Sequence, residues 1–139
     1  MIIDASVLLS AFFQDEAQAQ AQAVIREHAT GRERLRSPTL LIYEVTNAVW
    51  QAERRGRIPG DQADEILRAI AGLNIELLPL EWGESLPLAR RFGRSAYDAA
   101  YLTLADRLGE QFITGDLRMY NAVHPALHWV LWIGDYPCE

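Results

Sequence analysis

Four carboxylates in this chain stand apart from the solvated ones: Asp4, Glu44, Asp98 and Asp116. Asp4 follows the apolar run Met1-Ile2-Ile3, where a buried strand must give way to the helical run Ala5 to Phe13. Open parallel α/β sheets take their ligands there, in the crevice beyond the carboxyl ends of the strands. Glu44 falls on a helix whose apolar stripe is Leu41, Val45, Ala48 and Ala52. Asp98 heads a helix whose stripe is Tyr101, Leu102, Ala105 and Leu108. A carboxylate on a core-facing stripe is expensive unless it is paired or binds metal. Asp116 follows the short strand 111–114 in the turn Gly115-Asp116. Gathered carboxylates repel one another by about 3–4 kcal/mol per close pair at an effective dielectric of about 20, so the cluster demands a counter-charge. Oxygen donors without paired histidine or cysteine suit Mg²⁺ or Mn²⁺ rather than zinc. Carboxylate-held Mg²⁺ is the usual arrangement for phosphoryl chemistry, activating a water and stabilising the leaving oxygen.

Each acid also has an ordinary structural reading. Asp4 can serve as a helix N-cap, Glu44 can pair with a buried arginine, and Asp98 can complete a capping box with Ser95. Asp116 can be a turn residue after Gly115. Ser6 and Thr114 flank the acids and are placed for secondary contacts to them.

The elements that must position these residues alternate between strand and helix. Asp15-Glu16 opens a second helix through the Ala/Gln run to about His28, ended by Gly31. Arg34 to Ser37 reads as a strand, with Ser37 and Pro38 as N-cap and first residue of a helix to about Arg55, stopped by Gly56 and Pro59. Further helices are expected over 61–73, 84–92 and 97–108, and strands over 75–80, 111–114 and 129–133. That is α/β with a mainly parallel sheet of about five strands. The 139 residues form one domain, 1–139, with half of them hydrophobic.

Composition narrows the chemistry. All thirteen basic residues are arginine, so a P-loop and every lysine-dependent mechanism are excluded. Phosphotransfer through a phosphorylated Asp4, which in receiver domains and haloacid-dehalogenase-like phosphatases uses an active-site lysine, falls with them. Formal charge is −6, so there is no overall basic signature for nucleic acid. His28, His124 and His128 lack metal-motif spacing and read as surface or turn residues. The lone Cys138 makes no internal disulfide, in keeping with a cytoplasmic location. No apolar run approaches the ~20 residues that span a bilayer, so no membrane association is expected.

Asp4-Ala5-Ser6-Val7, Glu44 within Leu41 to Asn47, Tyr97-Asp98-Ala99-Ala100-Tyr101-Leu102 and Phe112-Ile113-Thr114-Gly115-Asp116 occur in an order that resembles a PIN domain, specifically the VapC toxins of VapBC toxin–antitoxin systems. The resemblance runs over essentially the whole chain. It implies a three-layer α/β/α fold and a Mg²⁺- or Mn²⁺-dependent endoribonuclease. Asp4, Glu44, Asp98 and Asp116 match the family's acidic quartet, with Asp116 at the most variable position, and Ser6 and Thr114 match its small polar neighbours. It also implies a homodimer and a cognate VapB-like antitoxin that holds the toxin inactive. Arg32, Arg34 and Arg36, and Arg54, Arg55 and Arg57, form two basic clusters suited to RNA phosphates, or two solvated helix ends. The competing readings are a non-toxin PIN nuclease of RNA processing and a non-catalytic RNA- or protein-binding module.

Overall fold

Ile2 and Ile3 are fully buried and make β1 (Ile2–Ile3), the middle of a five-stranded sheet in a computed structural model that describes residues 1–138. The order is β3-β2-β1-β4-β5, with β2 (Arg36–Pro38), β3 (Glu76–Leu78), β4 (Phe112–Thr114) and β5 (Val130–Trp132). Every pairing is parallel, with Ile2 opposite both Arg36 and Phe112, so the carboxyl ends of all five strands share one edge. The two central strands, β1 and β4, are buried throughout, as expected of a parallel sheet covered on both faces.

Helices α1 (Ala5–Phe12) and α2 (Gln18–Ala29) connect β1 to β2, and α3 (Leu40–Arg54) and α4 (Gly60–Ala71) connect β2 to β3. The chain then returns across the sheet through α5 (Leu86–Phe92) and α6 (Ala96–Leu108) to β4, and α7 (Leu117–Val123) leads to β5. Right-handed crossovers put the outward and return helices on opposite faces, which is the three-layer α/β/α arrangement. The direction of travel reverses between β1 and β4, and this pair is the topological switch point.

Two local expectations give way. Ser37-Pro38 does not begin a helix: Ser37 donates its hydroxyl to the Ile3 carbonyl at 3.0 Å, and Pro38 is the last residue of β2. A residue before proline prefers extended backbone, so the strand runs through it and α3 starts after Thr39. His28 is not a surface residue in role. Its Nδ1 accepts from the Leu35 amide at 3.1 Å, which leaves Nε2–H to donate to the Leu73 carbonyl at 2.6 Å. The ring thereby ties α2 to the entry of β2 and the exit of α4. The Ala/Gln run of α2 is also specific, because Gln22 donates to the Ala11 carbonyl at 3.2 Å and so serves the end of α1.

Among the described residues, no helix is long and apolar enough to cross a membrane.

Candidate active site

Asp4 lies one residue beyond β1 and is almost wholly buried, at 9% exposure. It occupies the N-cap position of α1, where the Val7 amide is in reach of it without closing a well-formed cap hydrogen bond. Both carboxylate oxygens are turned instead to hydroxyls. Ser6 donates to Oδ1 and Thr114 donates to Oδ2, the latter at 2.5 Å. The hydroxyls are in turn fixed by backbone amides: Gly115 N–H donates to Ser6 Oγ at 2.7 Å and Asp116 N–H to Thr114 Oγ1 at 3.0 Å. Two short relays therefore run from the end of β4 through a hydroxyl to Asp4, and they lock the switch-point crevice. Gly115 belongs to this fit, because a Cβ there would sit 3.2 Å from Ser6 Oγ and 3.3 Å from Ile133.

Burial pushes Asp4 up to about 6; the Ser6 and Thr114 hydroxyls and the Val7 amide oppose the rise, and the charge of Asp116 adds to it. Asp116 stands at the N-cap of α7, where its Oδ1 accepts from the Met119 amide at 3.1 Å. It is thus a capping residue and a second negative charge at the same crevice.

Glu44 projects from the second turn of α3. The buried stripe of that helix is Leu41, Val45, Val49 and Ala52, so Glu44 and Ala48 lie on its flank rather than within it. Its partner is Tyr101 of α6, whose hydroxyl donates to Glu44 Oε1 at 2.5 Å. Tyr101 is the residue missed from the sequence, where it reads as one more apolar position. Its ring is buried and stacked on Phe112 at 5.9 Å. The hydroxyl is held strongly protonated, by burial first, then by its bond to Glu44 and by the charges of Glu44, Asp4 and Asp98. One neutral donor therefore senses three of the four acids.

Asp98 sits in the first turn of α6. Ser95 caps that helix by accepting from the Asp98 amide at 3.1 Å, which is half of the expected capping box. The Asp98 side chain does not complete it. Two of the three Arg94 guanidinium nitrogens, Nε at 3.1 Å and Nη2 at 3.0 Å, converge on its Oδ2 and leave Oδ1 without a partner among the described residues. Arg94 was also missed, although its spacing of four from Asp98 is a pairing signal.

Among the described residues, no three Asp, Glu, His or Cys side chains are close enough to hold an ion as they stand. The donor chemistry nevertheless fits a hard divalent cation, being carboxylate oxygen throughout. Of the four acids only Asp98 has an arginine partner among the described residues. A buried carboxylate such as Asp4 with no cation beside it is a site short of positive charge.

The arginine clusters fall apart. Arg34 and Arg36 lie at the amino ends of the strands, where they pair with Glu76 at 2.9 Å and Glu110 at 3.0 Å, and Arg32 faces Glu27 at 3.8 Å. That is the edge opposite the acids. Arg54, Arg55 and Arg57 are exposed around the end of α3, and Arg57 lies over the Phe13 ring at 5.5 Å.

Residues 1–124 match the PIN domain family. The chain is 28% identical over 131 residues to Ribonuclease VapC3 of Pyrobaculum aerophilum, covering 91% of this chain and 96% of that protein. It is 29% identical over 119 residues to Ribonuclease VapC9 of Mycobacterium tuberculosis, covering 86% and 87%. A protein named Exonuclease VapC9, also from P. aerophilum, is 33% identical over 96 residues, covering 69% and 72%. The crystal structure of PAE2754 from P. aerophilum superposes with a TM-score of 0.73 at 25% identity, covering 95% of this chain and 82% of that one. With the family match spanning most of its length, this chain belongs to the PIN domain family.

Proposed function

We propose that this chain is a Mg²⁺- or Mn²⁺-dependent endoribonuclease and the toxin of a type II toxin–antitoxin pair. The observation that carries the reading is the buried Asp4 carboxylate at the switch point, tied by hydroxyls to the end of β4 where Asp116 follows, with Glu44 held by the buried Tyr101 of α6, the helix that Asp98 heads. In this reading Asp4, Glu44 and Asp98 hold the cation, with Asp116 contributing its oxygen not used in capping α7. The bound ion supplies an activated water and charge stabilisation at the leaving oxygen. The chain's own residues do the rest. Ser6 and Thr114 fix both oxygens of Asp4, so the carboxylate cannot rotate away. Tyr101 holds Glu44 as a donor that stays protonated, and Arg94 grips one oxygen of Asp98 while leaving the other open. A cation held at the crevice would offset the buried charge of Asp4, so metal binding and stability would rise together.

The VapC names of the relatives support a VapB-like antitoxin as partner and RNA as substrate. A homodimer is the assembly expected, and the exposed Tyr43, Trp50, Trp82, Leu86 and Tyr97 supply apolar surface that a second copy would cover. The name of the exonuclease relative favours a second reading, cleavage from an RNA end. One experiment separates the possibilities: incubate linear and circular copies of one single-stranded RNA with Mg²⁺ and the parent or Asp98→Asn chain. Cutting of both forms by the parent and neither by the variant is the endonuclease result. Cutting of the linear form alone indicates an exonuclease, and no cutting of either indicates a non-catalytic module.

A further inference from the structure

Resting on the ribonuclease reading above, we propose that the groove between α1 and α3 seats the nucleotide next to the scissile phosphate. The Arg57 guanidinium, at the far end of that groove, takes the outer phosphate of that nucleotide. The groove encloses about 290 Å³, near the lower end of the ~300 Å³ from which small-ligand sites begin. Its near end is formed by Ser6, which donates to Asp4, and Gly115, whose amide holds Ser6, so an occupant begins one hydrogen bond away from the buried carboxylate. Its floor is Ala48, one turn beyond Glu44 on the same flank of α3, with Ala52 of the buried stripe beyond it. None of the four acids lines the groove; it adjoins their site through Ser6 and Gly115.

The far end is built rather than incidental. Helix α3 ends with Gly56 at φ +73, its amide bonded to the Glu53 carbonyl at 2.9 Å and the Arg57 amide to the Ala52 carbonyl at 2.8 Å. This paired closure fixes the Arg57 backbone, and glycine supplies the left-handed residue it requires. The side chain then lies over the Phe13 ring, which orients the plane of the guanidinium and leaves its N–H edges for a phosphate. Arg57 is exposed and has no carboxylate at ion-pair distance among the described residues. The acid that also lines the groove, Asp15, already accepts the Ala17 amide at 2.9 Å.

The test compares the parent with Arg57→Ala and Arg57→Lys, using a labelled single-stranded oligoribonucleotide. Binding is read by fluorescence anisotropy in EDTA across a salt series, and cleavage by steady-state kinetics in Mg²⁺. Arg57→Ala should bind roughly fivefold to tenfold more weakly. The slope of log Kd against log salt should fall by about 0.7, the signature of one lost phosphate contact to a single strand. Arg57→Lys should keep the slope and recover part of the affinity. In cleavage, KM should rise with kcat nearly unchanged. Unchanged affinity and slope in Arg57→Ala, or a lower melting temperature with the slope intact, overturns the subsite. Failure of the parent to cleave any RNA overturns the ribonuclease reading instead, while the binding series still decides on Arg57.

Discussion

Replacing Asp4 by asparagine should abolish metal-dependent activity and, in metal-free buffer, make the fold more stable at neutral pH. Asp4 titrates at about 6 in the fold against 3.8 for an ordinary aspartate, so folding disfavours its charged form. Its contribution to stability is complete below the unfolded value and is lost as pH rises through the folded one. By linkage that loss amounts to about 3 kcal/mol at pH 7 and only about 0.5 kcal/mol at pH 4. Asparagine escapes the loss, but its amide meets a hydroxyl that now donates to a carboxylate, a mismatch of about 1 kcal/mol at either pH. The net expectation is a variant about 2 kcal/mol more stable than the parent at pH 7 and equal or slightly less stable at pH 4. Urea unfolding of both chains in EDTA at the two pH values measures this directly. The crossing with pH is the diagnostic part, since the mismatch cancels in the comparison. A parent at least as stable as Asp4→Asn at pH 7 would refute the claim that Asp4 is an uncompensated buried charge.

Two other perturbations follow from the same geometry. Tyr101→Phe keeps the stack on Phe112 but frees Glu44, so stability should shift by no more than about 1 kcal/mol. Mn²⁺ affinity should fall by roughly tenfold to a hundredfold, the usual loss when a ligand's hydrogen-bond partner is removed; equal affinities by calorimetry would remove Tyr101 from the site. Arg94→Ala takes away the one cation paired with an acid of the quartet, so Mn²⁺ should bind roughly threefold to tenfold more tightly, an advantage that shrinks as salt is added. Weaker binding in that variant would mean that Arg94 orients Asp98 more than it competes for it.

The sheet and the positions of the acids are legible in the sequence for a clear reason. Short apolar runs ending in Asp4 and in Thr114-Gly115-Asp116 admit few arrangements other than buried parallel strands with polar residues at one edge. What periodicity hides is burial on all sides. Every residue from Ala99 to Ala105 in α6 is buried, so no stripe distinguishes Tyr101, and its hydroxyl is found only when its partner on another helix is known. Helix α7 escapes for a different reason: it is short, and its start is marked by Asp116, whose turn and cap readings look alike in sequence. Ser37-Pro38 shows the converse, a helix-start signal overridden by a strand pairing opposite Leu77 and Leu78. His28 carries no motif, because its role depends on Leu35 and Leu73, which are brought together only by the fold.

The most direct test of the central claim, that these acids form a site for a divalent cation, is calorimetric titration of Mn²⁺ into the metal-free parent, Asp4→Asn and Asp98→Asn chains. The expected result is saturable binding to the parent and at least roughly tenfold weaker binding to each variant. Absence of saturable heat in the parent at millimolar Mn²⁺, or equal binding by all three chains, would contradict it.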